Sequence, residues 1–283
     1  MLKIAIQKSG RLYDDSIRLL KDCGLKVDNG KDQLKASVRN YEAEVLFLRN
    51  SDIPKYLEDG VADIAIIGEN VLIEKGVEVD TMRELGFSKC RVSIATPKNS
   101  GYETIKDLDG KKIATSYPNT LKNYLVENGV DAKLHQISGS VEIAPSIGLA
   151  DAICDIVSSG STLFKNGLEE QEVILRSQAV LAGNKKSIEE KSGLINQLVA
   201  RIDSVLKGRE NKYILFNIPN DKIEEASKII PVLKSPTILP LLEDGWSSLH
   251  SVISDKDFWK VINKLKACGA EGILVIPIEK MVI

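Results

Sequence analysis

Several of the strands that the sequence spells are apolar on both faces. "LKIAIQ" (2–7), "AEVLFLR" (43–49) and "VADIAIIG" (61–68) show little polar alternation, and such a strand is stable only where both faces of its sheet are covered. Between them run helical periods such as "YDDSIRLLKDCG" (13–24), with acids in the first turn and a glycine stop, as helix ends prefer. Apolar strands alternating with helices predict an α/β fold.

The pattern then recurs. "KIAIQKSGRL" (3–12) is echoed by "KIATSYPNTL" (112–121), and "DGVADIAIIGENVL" (59–72) by "IGLADAICDIVSSGSTL" (147–163). Two matches in the same order imply two related α/β lobes with a crevice between them, into which strand ends point. The expected lobes are 1–92 and 93–183. A helical stripe of Ile188, Leu194, Leu198, Ile202 and Val205 within 187–209 is expected to return to the first lobe, which assigns 184–210 to it. From 211 to 283 the runs "KYILFNI", "DKIEEASKII", "PTILPLL", "WSSLHSVI", "DKDFWKVINKLKACG" and "EGILVIPI" spell β-α-β-β-α-β. That is the ferredoxin-like order and predicts a separate small domain.

Composition excludes several functions. The net charge of −2 lacks the basic field that a nucleic-acid binder needs. "MLKIAIQKSG" holds too short an apolar run for a signal peptide, and no stretch approaches the roughly 20 apolar residues of a membrane span. A cytoplasmic protein is therefore expected. Cys23, Cys90, Cys154 and Cys268 have no metal-ligand spacing, and with only His135 and His250 available a Ser-His-Asp or Cys-His mechanism is disfavoured.

Residues 153–164, "ICDIVSSGSTLF", carry the most chemistry. Ser158, Ser159, Ser161 and Thr162 surround Gly160 where a strand gives way to a helix. Hydroxyls and backbone N–H groups there can wrap a phosphate, and Asp151 and Asp155, four apart on one face, can accept hydrogen bonds from a ribose diol. Together they suit a ribose 5-phosphate. A solvated turn of small residues is the plainer reading of the same loop. No G-x-x-x-x-G-K-[ST] sequence is present, so any ATP is held without a P-loop of that kind.

"KSGRL" (8–12), "IIGENVL" (66–72), "IATSYPNTLKNYL" (113–125), "GSVEIAP" (139–145), "GLADAICDIVSSGSTL" (148–163), "SPTILPL" (235–241) and "LVIPIEKM" near the C-terminus closely resemble the long form of the ATP phosphoribosyltransferases, the first enzymes of histidine biosynthesis. The resemblance covers essentially the whole chain. Ser159 stands where the family commonly has threonine, a change that keeps the hydroxyl. The resemblance implies two catalytic lobes of the periplasmic-binding-protein type and a regulatory C-terminal domain that binds histidine as inhibitor. It also implies transfer of the phosphoribosyl group of phosphoribosyl diphosphate to N1 of ATP, and a homo-oligomer in which dimers assemble into hexamers.

For the residues, Asp151 and Asp155 become the expected catalytic carboxylates, with Asp155, Glu142 and Ser158 to Thr162 around phosphoribosyl diphosphate. Lys8 and Arg11 follow the first strand and Arg49 the second, where strand ends meet the crevice; with Glu69, Asn70 and Tyr117 they are expected around ATP. Tyr117 is equally readable as a core edge. Asn217 and Thr237 are the expected histidine contacts. Mg²⁺ is expected to lean mainly on substrate oxygens, without a dedicated protein cage. Two rivals stay open from sequence: a two-lobed binding or effector-sensing protein without turnover, and a phosphoribosyltransferase for another acceptor.

Overall fold

Strand β1 (Leu2–Gln7) buries Leu2, Ile4, Ala5 and Ile6 completely, as a strand covered on both faces must. The computed structural model describes residues 1–28, 33–230 and 235–282. After β1 come α1 (Arg11–Asp22), β2 (Lys35–Ser37), β3 (Ala43–Leu48), α2 (Ile53–Glu58), β4 (Ile64–Gly68), α3 (Glu69–Lys75) and β5 (Asp80–Glu84). Next follow β6 (Cys90–Pro97), β7 (Lys112–Thr115), α4 (Pro118–Glu127), β8 (Lys133–Gln136), β9 (Ala152–Val157), α5 (Ser161–Lys165), β10 (Leu168–Ser177) and β11 (Ala179–Gly183).

These strands form two sheets of related order. The first runs β2-β3-β1-β4-β11-β5, with β1 parallel to β3 and β4 and with β11 antiparallel to β4. The second runs β10-β6-β9-β7-β8, with β7 parallel to β8 and β9 and with β6 antiparallel to β9. Each sheet is therefore three parallel strands in the order second-first-third, followed by an antiparallel strand. β1 with α1 and β7 with α4 occupy equivalent positions, as do β4 with α3 and β9 with α5, so the sequence echo is architectural. This is the two-lobed α/β arrangement that was expected.

The described chain divides into two compact units, residues 1–21 with 25–195, and 22–24 with 196–283. Both sheets above lie in the first. Helices α6 (Lys185–Glu190) and α7 (Ser192–Glu210) replace the single helix that the stripe predicted. The interruption lies at Lys191, whose ammonium contacts both oxygens of Asp63 at 2.7 Å.

In the second unit, β12 (Asn211–Pro219), α8 (Ile223–Ile229), β13 (Thr237–Pro240), β14 (Trp246–Ser254), α9 (Phe258–Ala267) and β15 (Glu271–Pro277) form an antiparallel sheet of order β13-β14-β12-β15. This is the ferredoxin-like arrangement. One face carries Ile214, Phe216, Ile218, Leu249 and Ile253 into a core with Val261, Ile262 and Leu265 of α9. Among the described residues no helix is long and apolar enough to cross a membrane.

Candidate active site

The parallel strands of both lobes end in loops, and in open α/β sheets the loops beyond the carboxyl ends hold the ligand. In the second lobe β9 ends at Val157, and Ser158 to Gly160 lead into α5. Gly160 takes a left-handed φ of +78°, which glycine adopts without Cβ strain. Its carbonyl accepts from the N–H of Phe164 at 3.1 Å, and the hydroxyls of Ser159 and Ser161 meet each other at 3.0 Å. Ser158, Ser159, Ser161 and Thr162 are all exposed.

A cavity of about 250 Å³ beside this loop is lined by Glu142, Asp155, Ser158, Ser159, Gly160 and Thr162, among others. Six of the seven expected phosphoribosyl-diphosphate residues thus share one wall; Ser161 is in the same loop. Asp155 is half-buried, and its Oδ1 accepts from the hydroxyl of Ser116 at 2.7 Å and from the N–H of Ile156 at 2.8 Å. Burial holds its carboxyl above the ordinary aspartate range, the nearby Glu142 charge adds to the rise, and the two hydrogen bonds oppose it.

Asp151 is not brought to this cavity. It stands just before β9, exposed, with Oδ2 accepting from the N–H of Lys112 at 2.8 Å. Four residues of strand at about 3.3 Å each place it about 13 Å along the chain from Asp155. At that separation the two carboxylates cannot grip one ribose diol.

A second cavity, of about 220 Å³, is bounded by strand ends of both lobes. Gln7, Arg11, Asn50, Gly68 and Asn70 come from the first lobe, Ile156 and Ser158 from the second, and Ser88 to Cys90 from the segment that crosses between them. Arg11 thus reaches the crevice wall. Lys8 and Arg49 are exposed in the loops that follow β1 and β3. Glu69 opens α3, half-buried, with its N–H donating to the carbonyl of Gln178 at 3.0 Å.

Asn70 and Tyr117, expected around ATP, are spent on each other. The Nδ2 of Asn70 donates to the Tyr117 hydroxyl at 2.8 Å, and its Oδ1 accepts from the Ser177 hydroxyl at 2.9 Å. Burial, and then the Asp155 charge, push the Tyr117 phenol above the ordinary tyrosine range. The packing permits no larger neighbour, because a Cβ on Gly68 would lie 2.5 Å from Asn70 Oδ1. Close by, the Glu74 carboxylate accepts from the backbone N–H groups of Asn119 at 3.0 Å and Thr120 at 2.9 Å, pinning the start of α4 to the first lobe.

Four site-shaping residues were not singled out from the sequence. Ser116 orients Asp155. Arg91 donates through Nη1 to the carbonyl of Ser158 at 3.0 Å while forking onto Glu170 at 2.5 and 2.6 Å. Glu74 ties the lobes, and Asn50 lines the crevice. Only Ser116 carried a usable signal, since the internal echo aligns it with the strand-end residue Gln7. In the second unit, Asn217 pairs with Ser248 and Thr237 with His250 across adjacent strands, so both project from the sheet face opposite the helices.

The model of a family described as ATP phosphoribosyltransferase matches residues 49–204, and one described as its C-terminal domain matches residues 208–280. An ATP phosphoribosyltransferase of Cytophaga hutchinsonii is 55% identical over 282 residues, spanning 100% of this chain and 99% of that protein. One of Bacteroides fragilis is 50% identical over 283 residues, with 100% of both chains covered. Among solved structures, the ATP phosphoribosyl transferase (HisG:HisZ) complex from Thermotoga maritima aligns with a TM-score of 0.62 and 31% identity, over 71% of this chain and 98% of that one.

Proposed function

The chain belongs to the ATP phosphoribosyltransferase family of histidine biosynthesis, and on that premise we propose that it joins N1 of the adenine of ATP to C1 of phosphoribosyl diphosphate and is restrained by histidine. The observation that carries the reading is the exposed hydroxyl loop at the end of β9 with Asp155 beside it. It shares Ser158 with the crevice whose opposite wall bears Arg11.

As the N1 lone pair forms the new bond to C1, the bond from C1 to the diphosphate oxygen breaks and diphosphate leaves with that electron pair. The adduct then sheds a proton from the exocyclic amino group, which leaves the purine neutral. The anomeric carbon passes through an oxocarbenium-like state, so alignment and charge stabilisation suffice and no protein nucleophile is needed. Ser158 to Thr162 hold the 5-phosphate of the ribose, and Asp155 accepts from its hydroxyls. Arg11, Lys8 and Arg49 offer positive charge to the phosphates of ATP.

Mg²⁺ fits this donor set, because it binds largely through substrate phosphate oxygens with one or two carboxylates, and Asp155 and Glu142 are carboxylates on the loop cavity wall. When bound it neutralises charge on the diphosphate. The ferredoxin-like unit is the proposed histidine sensor, with Asn217 and Thr237 on its open sheet face as contacts, and the assembly is a homo-oligomer of dimers. Lobe boundaries at 92, 183 and 210 remain part of this reading, as does a cytoplasmic location.

The test is steady-state formation of phosphoribosyl-ATP and diphosphate from the two substrates, with and without histidine. Turnover that histidine lowers supports both parts. Turnover of another nucleotide but not ATP removes the acceptor assignment, and turnover indifferent to histidine removes the sensor.

A further inference from the structure

Among the described residues, the amide oxygen of Asn50 is a buried side-chain polar atom without a hydrogen-bond partner. It belongs to a residue lining the crevice cavity, in company with Arg11, Lys89, Ile156 and Ser158. Buried acceptors are satisfied as a rule, so an orphan marks a position where a donor is missing; its oxygen has almost no accessible surface, so the Asn50 amide meets a donor in the crevice by turning toward it. We propose that Asn50 reads the base of the acceptor nucleotide, its Oδ1 accepting a hydrogen bond from the 6-amino group of adenine. This rests on the reading above that ATP is the acceptor.

The chemistry of the base leaves little choice. The reacting edge of adenine presents N1 as an acceptor and the 6-amino group as a donor. N1 must attack C1, so its lone pair has to stay free of protein donors. The amino group next to it is then the group on that edge by which a protein can hold the base in register. A carbonyl oxygen suits that purpose, and the cations Arg11 and Lys89 that line the same cavity suit the phosphates rather than the base.

The contact should also strengthen during the reaction. As N1 acquires its third bonded neighbour, positive charge spreads onto the amino group, whose N–H becomes a better donor. The bond to Oδ1 becomes charge-assisted, and an interaction stronger in the transition state than in the ground state speeds the chemistry itself. Asn50 would thereby contribute to kcat as well as to nucleotide choice.

Guanosine and inosine triphosphates do not test this, because their N1 carries hydrogen and is not a free nucleophile. The informative analogue is the triphosphate of unsubstituted purine riboside, which keeps N1 and lacks the amino group. Calorimetric Kd values for ATP and this analogue should be measured with the full-length wild type, Asn50→Leu and Asn50→Asp, alongside kcat/KM for both. Wild type is expected to prefer ATP by about tenfold or more in Kd, the loss usual when a buried polar group goes unpaired. Asn50→Leu should cut that preference to about twofold or less, and Asn50→Asp, which keeps an acceptor, should retain it. Should Asn50→Leu fail to fold, Asn50→Ala gives the same readout. An ATP preference undiminished in the apolar variant overturns the proposal, while failure of the wild type to turn over ATP overturns the acceptor reading beneath it.

Discussion

The third parallel strand of each lobe reaches the crevice by the same route, and the two strand ends are put to opposite uses. β4 ends in Gly68, Glu69 and Asn70, and the Asn70 amide is closed on both sides by Ser177 and Tyr117. β9 ends in Ser158, Ser159 and Gly160, where the Ser159 and Ser161 hydroxyls meet each other, Ser159 also accepting from the Ser161 N–H at 3.4 Å, and both lie open to solvent. Topology places both ends at a ligand position. What decides between clamp and binding loop is whether the polar groups are already satisfied within the protein, since a group that has spent its hydrogen bonds has none to offer a substrate.

The comparison breaks most visibly at Asp155. Asp155→Asn removes charge from the wall of the loop cavity, and losing hydrogen bonds to a charged acceptor costs about 1.5–3 kcal/mol, or roughly 10–150-fold in kcat/KM for phosphoribosyl diphosphate. Stability should not fall with it. A carboxyl whose folded pKa is raised by burial contributes stability at low pH that is lost as pH rises through that value, so at neutral pH the ionised group opposes folding. Thermal melts of the variant are therefore expected to match or exceed wild type while activity collapses. Unchanged kinetics would remove Asp155 from the site.

That loop was legible in the sequence because its signal is local: small hydroxyl residues around one glycine, directly after an apolar strand. The two-lobed plan was legible because β1 and β7, and β4 and β9, kept enough of their apolar strand patterns to match in order. The Asn70–Tyr117 and Glu74–Thr120 contacts join residues 47 and 46 positions apart, and Arg91 meets Glu170 over 79, so no periodicity announces them. Motif resemblance placed Asn70 and Tyr117 near the crevice but could not show that they face one another. Asp151 was misjudged for a different reason, since a period of two gives the face of a strand and says nothing of the distance along it.

A smaller effect is expected at the clamp. Asn70→Ala removes the acceptor of the Ser177 hydroxyl, which still accepts from the backbone N–H of residue 70, and leaves the Tyr117 hydroxyl, which is half-buried, without its donor; unsatisfied groups of this kind cost about 1–3 kcal/mol. Denaturant midpoints should fall accordingly. Ser159→Ala, made in an exposed loop, should stay within about 0.5 kcal/mol of wild type while weakening phosphoribosyl diphosphate. Equal stability losses at both positions would erase the distinction between the two strand ends.

Gly160 separates backbone shape from packing. Nothing lies within 4 Å of a Cβ built there, so a side chain would meet no wall in the folded protein. The cost of Gly160→Val comes from φ +78°, a region costing a β-branched residue on the order of 1–3 kcal/mol. The loop can relieve that strain by leaving its conformation. KM for phosphoribosyl diphosphate is expected to rise about fivefold or more with Kd for ATP nearly unchanged; matched losses for both ligands would indicate that the whole crevice had shifted.

The smallest effect concerns the like charges on the loop wall. Asp155 must be ionised to accept from ribose hydroxyls, so kcat/KM for phosphoribosyl diphosphate should rise with pH through the folded pKa of that carboxyl. Its acid limb should then lie above the ordinary aspartate value of about 3.9. Burial is the main cause of the elevation and Glu142 a minor one. Glu142→Gln removes only the minor cause. The limb should move to lower pH by a modest amount and stay above the ordinary value, because the desolvation remains and the Ser116 and Ile156 hydrogen bonds are untouched. A limb that moves the other way would mean that Glu142 does not repel Asp155, and that the two carboxylates are joined by a shared proton or cation instead of merely facing one cavity.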